Sequence, residues 1–228
     1  MAVFMHALVI GASRGIGLEL VQQLLADGHR VLTTARTEPA VAQLQALGAH
    51  AFLLDVAQPA SISSLGWRLD GEKLDQAWYV AGVGSRAGAS APPTQTDFDR
   101  VMHTNVLGAM QAITQVAPCV EAARGQFIFL SSVLGRIGGV GGDGYWLYGV
   151  SKAALNMSVV GAQAAYPQAR FVLMHPGWVR TDMGGDNAPL DVATSVRGMR
   201  ATVQRLYDKP LGPQVPYVQW DGSPLPSW

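Results

Sequence analysis

The chain has 228 residues, of which 49% are apolar and 14% charged, and its 16 basic and 16 acidic side chains cancel. That is enough for one large domain with a full core, and the composition is too apolar for a disordered chain. A neutral balance without a basic run excludes a nucleic-acid surface, and a single cysteine, Cys119, excludes an internal disulfide and fits a reducing compartment.

The first apolar run has no basic leader and is too short to span a membrane. It reads as a buried strand over Phe4–Ile10 that runs into a glycine-rich turn, Gly11-Ala12-Ser13-Arg14-Gly15-Ile16-Gly17. Helices are predicted over Gly15–Ala26, Glu38–Leu47, Asp97–Val116, Tyr148–Tyr166 and Asp191–Leu206. The intervening strands are predicted at Arg30–Thr34, His50–Leu54, Gln76–Val80, Gln126–Ser131, Arg170–His175 and Tyr217–Trp220. Continuous apolar strands alternating with helices imply an α/β fold with a doubly wound, mostly parallel sheet of about seven strands and helices on both faces. No linker or repeat breaks the alternation, so residues 1–228 are expected to form a single domain. No later run offers a membrane span, and the chain is expected in the cytoplasm without a membrane partner. Gly82–Pro93, Val133–Gly144 and Gly184–Pro189 read as loops beyond strand ends, where such sheets bind ligands. Cys119 reads as a half-buried filler on a helix.

A glycine turn between a strand and a helix is a seat for a dinucleotide. Gly11 allows the sharp turn, and Gly15 and Gly17 let backbone and pyrophosphate approach at a helix N-terminus whose free amides favour an anion. Ser13, Arg14 and Ile16 complete this cradle. The second strand ends in Ala35, Arg36 and Thr37, with no acid to bind the ribose hydroxyls of NAD. Arg36 and Arg14 instead favour the extra phosphate of NADP over NAD. Asp55, with Val56 beside it, is placed either to accept from the adenine amino group or to cap the next helix.

Tyr148 and Lys152 are four residues apart on a predicted helix and share a face. A cation beside a phenol lowers its pKa from about 10, which would let Tyr148 exchange a proton with a substrate oxygen. Trp146 and Trp178 would serve as apolar walls for a carbonyl substrate or as core or subunit contacts, and Gly184 and Gly185 suggest a small mobile lid over an open pocket. His175 ends a buried strand and reads as structural. No cluster has metal-ligand spacing, so no metal is expected.

Together these pieces resemble the short-chain dehydrogenase/reductase family. They are the glycine turn, Asp55-Val56, Ala81-Gly82, Asn105, Ser131-Ser132, Tyr148 to Lys152 and Pro176-Gly177, in the family's order over nearly the whole chain. The strings from Tyr148 to Met157, His175 to Gly185 and Asp221 to Pro226 are similar to the subgroup of C-factor proteins and sniffer-type carbonyl reductases. The resemblance implies an NAD(P)-binding Rossmann domain with a built-in substrate site. It implies an NADP-dependent oxidoreductase that moves hydride between nicotinamide and a small carbonyl or secondary alcohol. Tyr148 would be the proton donor and acceptor, and Lys152 would hold the nicotinamide ribose. Ser132, rather than Ser131, would bond the substrate carbonyl, and Asn105 would support a water relay to the lysine. Ala81 and Gly82 would line the cofactor, and Pro176, Gly177, Val179 and Thr181 would frame the nicotinamide. A C-factor-like signalling role that retains the cofactor fold is the alternative. The family's paired helices imply a homodimer or homotetramer. Tyr79 and Val80 stand where many members carry two asparagines, one of which helps stabilise the central sheet.

Overall fold

Apolar side chains alternate between two separate cores, one on each face of a seven-stranded sheet. In this computed structural model residues 5–139, 144–212 and 214–225 are described. The expected strand start at Phe4, the segment 140–143 of the Val133–Gly144 loop and Pro226 of the tail lie outside them. The strands are β1 (His6–Ile10), β2 (Arg30–Ala35), β3 (His50–Leu53), β4 (Gln76–Tyr79), β5 (Gln126–Leu130), β6 (Arg170–His175) and β7 (Tyr217–Gln219). All are parallel, in the order β3-β2-β1-β4-β5-β6-β7. The order reverses between β1 and β4, and this switch point opens a crevice beyond the strand ends.

The helices are α1 (Gly15–Ala26), α2 (Glu38–Ala46), α3 (Pro59–Ile62), α4 (Ser64–Arg68), α5 (Gln95–Met102), α6 (Gly108–Ala122), α7 (Trp146–Gln163) and α8 (Val192–Tyr207). Leu8 and Ile10 of β1 face the core built with α6 and α7, around Ile113, Val116, Leu155 and Val159. Ala7 and Val9 face the other, built with α1, α2 and α8 around Leu20, Val41 and Met199. Period-two strands buried on both faces thus hold the sheet between two helical layers. Thr94 caps α5 by accepting the Asp97 N–H at 3.1 Å, and Asp191 caps α8 by accepting the Thr194 N–H at 2.8 Å.

The predicted helix over Asp97–Val116 differs from what forms. A π turn, His103–Leu107, separates α5 from α6. It inserts one extra residue into the helical ladder, a feature common at functional sites. No helix among the described residues is long and apolar enough to cross a membrane.

Candidate active site

A cavity of about 390 Å³ opens at the switch point. Its floor is the glycine turn. The Gly11 N–H donates to Thr34 Oγ1 at 3.1 Å, and the Ala12 N–H to the Thr34 carbonyl at 2.9 Å. Gly11 has φ +92°, and a Cβ there would come within 2.8 Å of the Ala81 backbone. A Cβ on Gly17 would overlap the Gly11 carbonyl oxygen. Both glycines are therefore required for strand, turn and helix to close on one another. Ser13, Arg14, Gly15 and Ile16 line the cavity with them, as do Arg36, Val56, Ala81, Gly82, Pro176 and Thr181. The exposed Arg14 pairs with Asp182 at 2.7 Å, and Arg36 makes no ion pair among the described residues.

Three expected cofactor residues do not line the cavity. Asp55 turns inward, accepting the Ala57 N–H at 3.0 Å while its own N–H goes to Ser61 Oγ at 2.9 Å. It forms a local turn, and the N-cap position of the next helix falls on Gln58, whose side chain makes no capping bond. Gly177, with φ +89°, backs onto Leu190 and Trp220, where a Cβ would meet atoms at 2.8 Å and 3.0 Å. Val179 is buried and bridges to Leu190. Gly177 and Val179 support the wall from behind.

The segment after Thr181, read as a small lid, is hydrogen-bonded within itself. The Gly184 N–H donates to Thr181 Oγ1 at 3.1 Å, the Gly185 N–H to the Thr181 carbonyl at 2.8 Å, and Trp178 Nε1 to the Gly184 carbonyl at 2.9 Å. Gly184 is needed because a Cβ would strike the Val179 carbonyl, and Gly185 because its φ is +79°. Trp146 and Trp178 are both exposed, so neither belongs to the core.

The second half of the site lies on α7. Tyr145 adopts a left-handed conformation, φ +65°, and turns the chain into the helix. Tyr148 then falls in the first turn and Lys152 one turn later, and both line the cavity. Ser132, at the end of β5, hydrogen-bonds to Tyr148 through its side chain, and its Oγ accepts the Leu134 N–H at 3.2 Å. Ser131 donates to Asn156 Oδ1 at 2.6 Å, so of the two serines it is Ser132 that meets the phenol.

Lys152 is buried, and its ammonium donates to the Leu130 carbonyl at 2.8 Å while lying 5.6 Å from the centre of the Tyr148 ring. Burial lowers its pKa to about 8. Burial also raises the Tyr148 phenol to about 12, against the smaller opposing pull of the Ser132 hydrogen bond. This corrects the expectation of a lowered phenol pKa. Within the chain alone, loss of water outweighs an amine that points to a backbone carbonyl.

Asn105 is fully buried in the π turn. Its amide donates to Ser151 Oγ and to the Val83 carbonyl, each at 2.9 Å, and its oxygen accepts the Val83 N–H at 2.9 Å. The side chain thus fastens the loop after β4 to α7. A Cβ on Gly82 would meet both Asn105 Oδ1 at 3.5 Å and Lys152 Nζ at 3.6 Å, so these two groups are neighbours. Tyr79, at the departure from the usual asparagines, is buried and donates to the Thr104 carbonyl of the same π turn at 2.8 Å. The other departure, Val80, lines the cavity. His175 is neutral at pH 7, because burial pushes its pKa down to about 4. Cys119 is half-buried on α6 and directs its thiol to the Leu69 carbonyl at 3.5 Å.

The family model for short chain dehydrogenase matches residues 5–189. The chain belongs to the short-chain dehydrogenase family. It is thereby an oxidoreductase with a site for a nicotinamide cofactor. Among similar proteins of this family, the C-signal of Myxococcus xanthus is 32% identical over 149 residues, covering 64% of this chain and 88% of that protein. A short-chain dehydrogenase/reductase from Burkholderia multivorans with bound NADP is 29% identical, with a TM-score of 0.88 over 99% of this chain and 100% of that one. The carbonyl reductase Sniffer of D. melanogaster is 28% identical, also with a TM-score of 0.88, over the same shares.

Two contributors to this short-chain dehydrogenase site went unseen in the sequence. Ser151 donates to the Tyr148 carbonyl at 2.7 Å and receives Asn105. Its place next to Lys152 on a helix was the one available signal. Tyr217, on β7, donates to the Ser132 carbonyl, and no motif marks it.

Proposed function

We propose that this chain is an NADP-dependent carbonyl reductase that interconverts a small carbonyl compound and its secondary alcohol, with Tyr148 as proton donor and acceptor. The observation that carries the reading is the hydrogen bond between the Ser132 and Tyr148 side chains, with Tyr148 and the buried Lys152 both lining the cavity. The cofactor fits the residues present: Gly11 and Gly17 have no room for a Cβ, and the turn opens on a cavity that Arg36 also lines. A bound nicotinamide dinucleotide supplies the hydride. The cofactor phosphates would rest on the turn from Gly11 to Gly17 at the α1 N-terminus, and Arg36, with Arg14, would select the additional phosphate of NADP.

A carbonyl oxygen placed beside Ser132 and Tyr148 accepts a hydrogen bond from each as negative charge builds on it. Tyr148 then gives up its proton, and Lys152 offsets the charge left on the ring. A phenol at about 12 is fully protonated at neutral pH, the form a reductase needs. A homodimer or homotetramer formed through α6 and α7 completes the reading.

A panel of aliphatic and aromatic carbonyls, followed with NADPH and NADH side by side, tests it. Tyr148→Phe should lose about 10²- to 10⁴-fold in turnover while NADPH affinity is kept. Arg36→Ala should remove the preference for NADPH. Near-parental reduction by Tyr148→Phe would refute the assignment.

A further inference from the structure

Tyr217 lies beyond the residues matched by the family model, on the last strand of the sheet. It is 7% exposed, and its ring belongs to the core that holds Phe127, Phe129 and Phe171. The parallel order of β5, β6 and β7 carries it to the end of β5, with Leu173 opposite Tyr217 and the Ser131 N–H donating to the Met174 carbonyl at 2.8 Å. There its hydroxyl donates to the backbone carbonyl of Ser132 and bonds to the side chains of Asn156 and Ser131. Asn156 in turn accepts from Ser131 at 2.6 Å and donates to the Gly135 carbonyl at 3.3 Å. The phenol closes a buried polar network around the Ser131–Ser132 turn. Ser132 Oγ is held by the Leu134 N–H and by Tyr148, and the backbone from which it reaches them is held by this network.

We propose that Tyr217 is a positioning residue for the reaction: from the last strand it holds the Ser132 backbone so that the Ser132 hydroxyl meets Tyr148 and the substrate oxygen. The inference rests on the carbonyl-reductase reading above. Tyr217 acts through Ser132. It is near enough to Tyr148 to influence its ionisation, and among the described residues Arg136 acts on Tyr217 and Lys152 lies beside Tyr148.

The test uses the full chain with NADPH and an active carbonyl from the panel. Tyr217→Phe keeps the ring and removes one hydroxyl. It should lower kcat about 10-fold, since small misplacements of reacting groups cost this much or more, and leave NADPH affinity unchanged. In a Ser132→Ala background the same substitution should cost less than about twofold more, because no hydroxyl is left to position. Equal losses in both backgrounds, or a loss of NADPH affinity in place of a loss of kcat, would overturn the proposal and leave Tyr217 a packing residue. If Tyr217→Phe does not fold, Asn156→Ser cuts the same network from α7 and carries the same expectations. Full activity in Tyr148→Phe would overturn the reaction and this inference together. An inactive Tyr148→Phe beside a Tyr217→Phe identical to the parent overturns the inference alone.

Discussion

Lys152 connects the proposed chemistry to the stability of the chain, and the two respond to pH in opposite directions. Its pKa falls from 10.5 to about 8 through burial. Between those values the unfolded chain binds more protons than the folded one, so stability rises with pH across that window. Below about pH 8 the folded protein carries the full cost of a buried ammonium, a few kcal/mol at most. Reduction needs that ammonium beside the Tyr148 ring, and so kcat/KM should fall as pH rises through about 8, well before the phenol itself ionises. Rate and urea-unfolding profiles measured from pH 7 to 10 check both limbs. A parallel fall of activity and stability would mean simple alkaline unfolding and would remove Lys152 from the account. Lys152→Met should abolish the rise in stability along with most of the activity.

Among the secondary-structure elements, the π turn is where this chain departs most from its sequence reading. The strands were legible because each is a continuous apolar run, and α1 because the glycine turn announces it. The π turn was not, because one extra residue within a stretch of small and apolar side chains leaves the 3.6-residue pattern nearly intact. α3 and α4 were missed for a related reason: four and five residues, separated at Ser63, are too few to show a period. Tyr148, Lys152 and Ser132 could be picked out because chemistry restricts which residues stand there. Tyr217 could not, since its contact with Ser132 spans 85 positions and exists only through the strand order. Tyr79 belongs to the same class. A tyrosine in place of an asparagine reads as a loss until the fold places its hydroxyl on the Thr104 carbonyl. Gly108 is packed against that hydroxyl, where a Cβ would lie 2.7 Å away. Tyr79→Phe strands a buried carbonyl and should cost about 1–3 kcal/mol. Urea denaturation gives that difference, and hydrogen exchange at 103–108 should quicken more than in β1. Unchanged exchange there would show that the π turn holds without the phenol.

At the scale of the whole molecule, the sheet buries both of its faces, yet part of the helical layer on the α6–α7 side remains uncovered. On α7, Val150 and Met157 are 45% and 74% exposed, seven residues apart along one stripe, with Ala153, Ala154 and Gly161 between and beside them. A Cβ on Gly161 would meet nothing within 4 Å. On α6, Met110 is 48% exposed, and Leu107 just before the helix is exposed as well. A two-turn apolar stripe with small residues beside it lets a second helix approach closely, and a two-fold axis would cover the same stripe on both copies. The site also gains from such closure, because the helix that presents Tyr148 and Lys152 is the one that would be clamped. The parent chain should therefore sediment as a dimer or tetramer, and Met157→Glu, which places two like charges face to face across the axis, should shift it toward monomer. If the parent sediments as a monomer at micromolar concentration, the stripe has no such partner. If Met157→Glu dissociates without loss of kcat, α7 needs no clamp and the proton-transfer geometry belongs to the single chain.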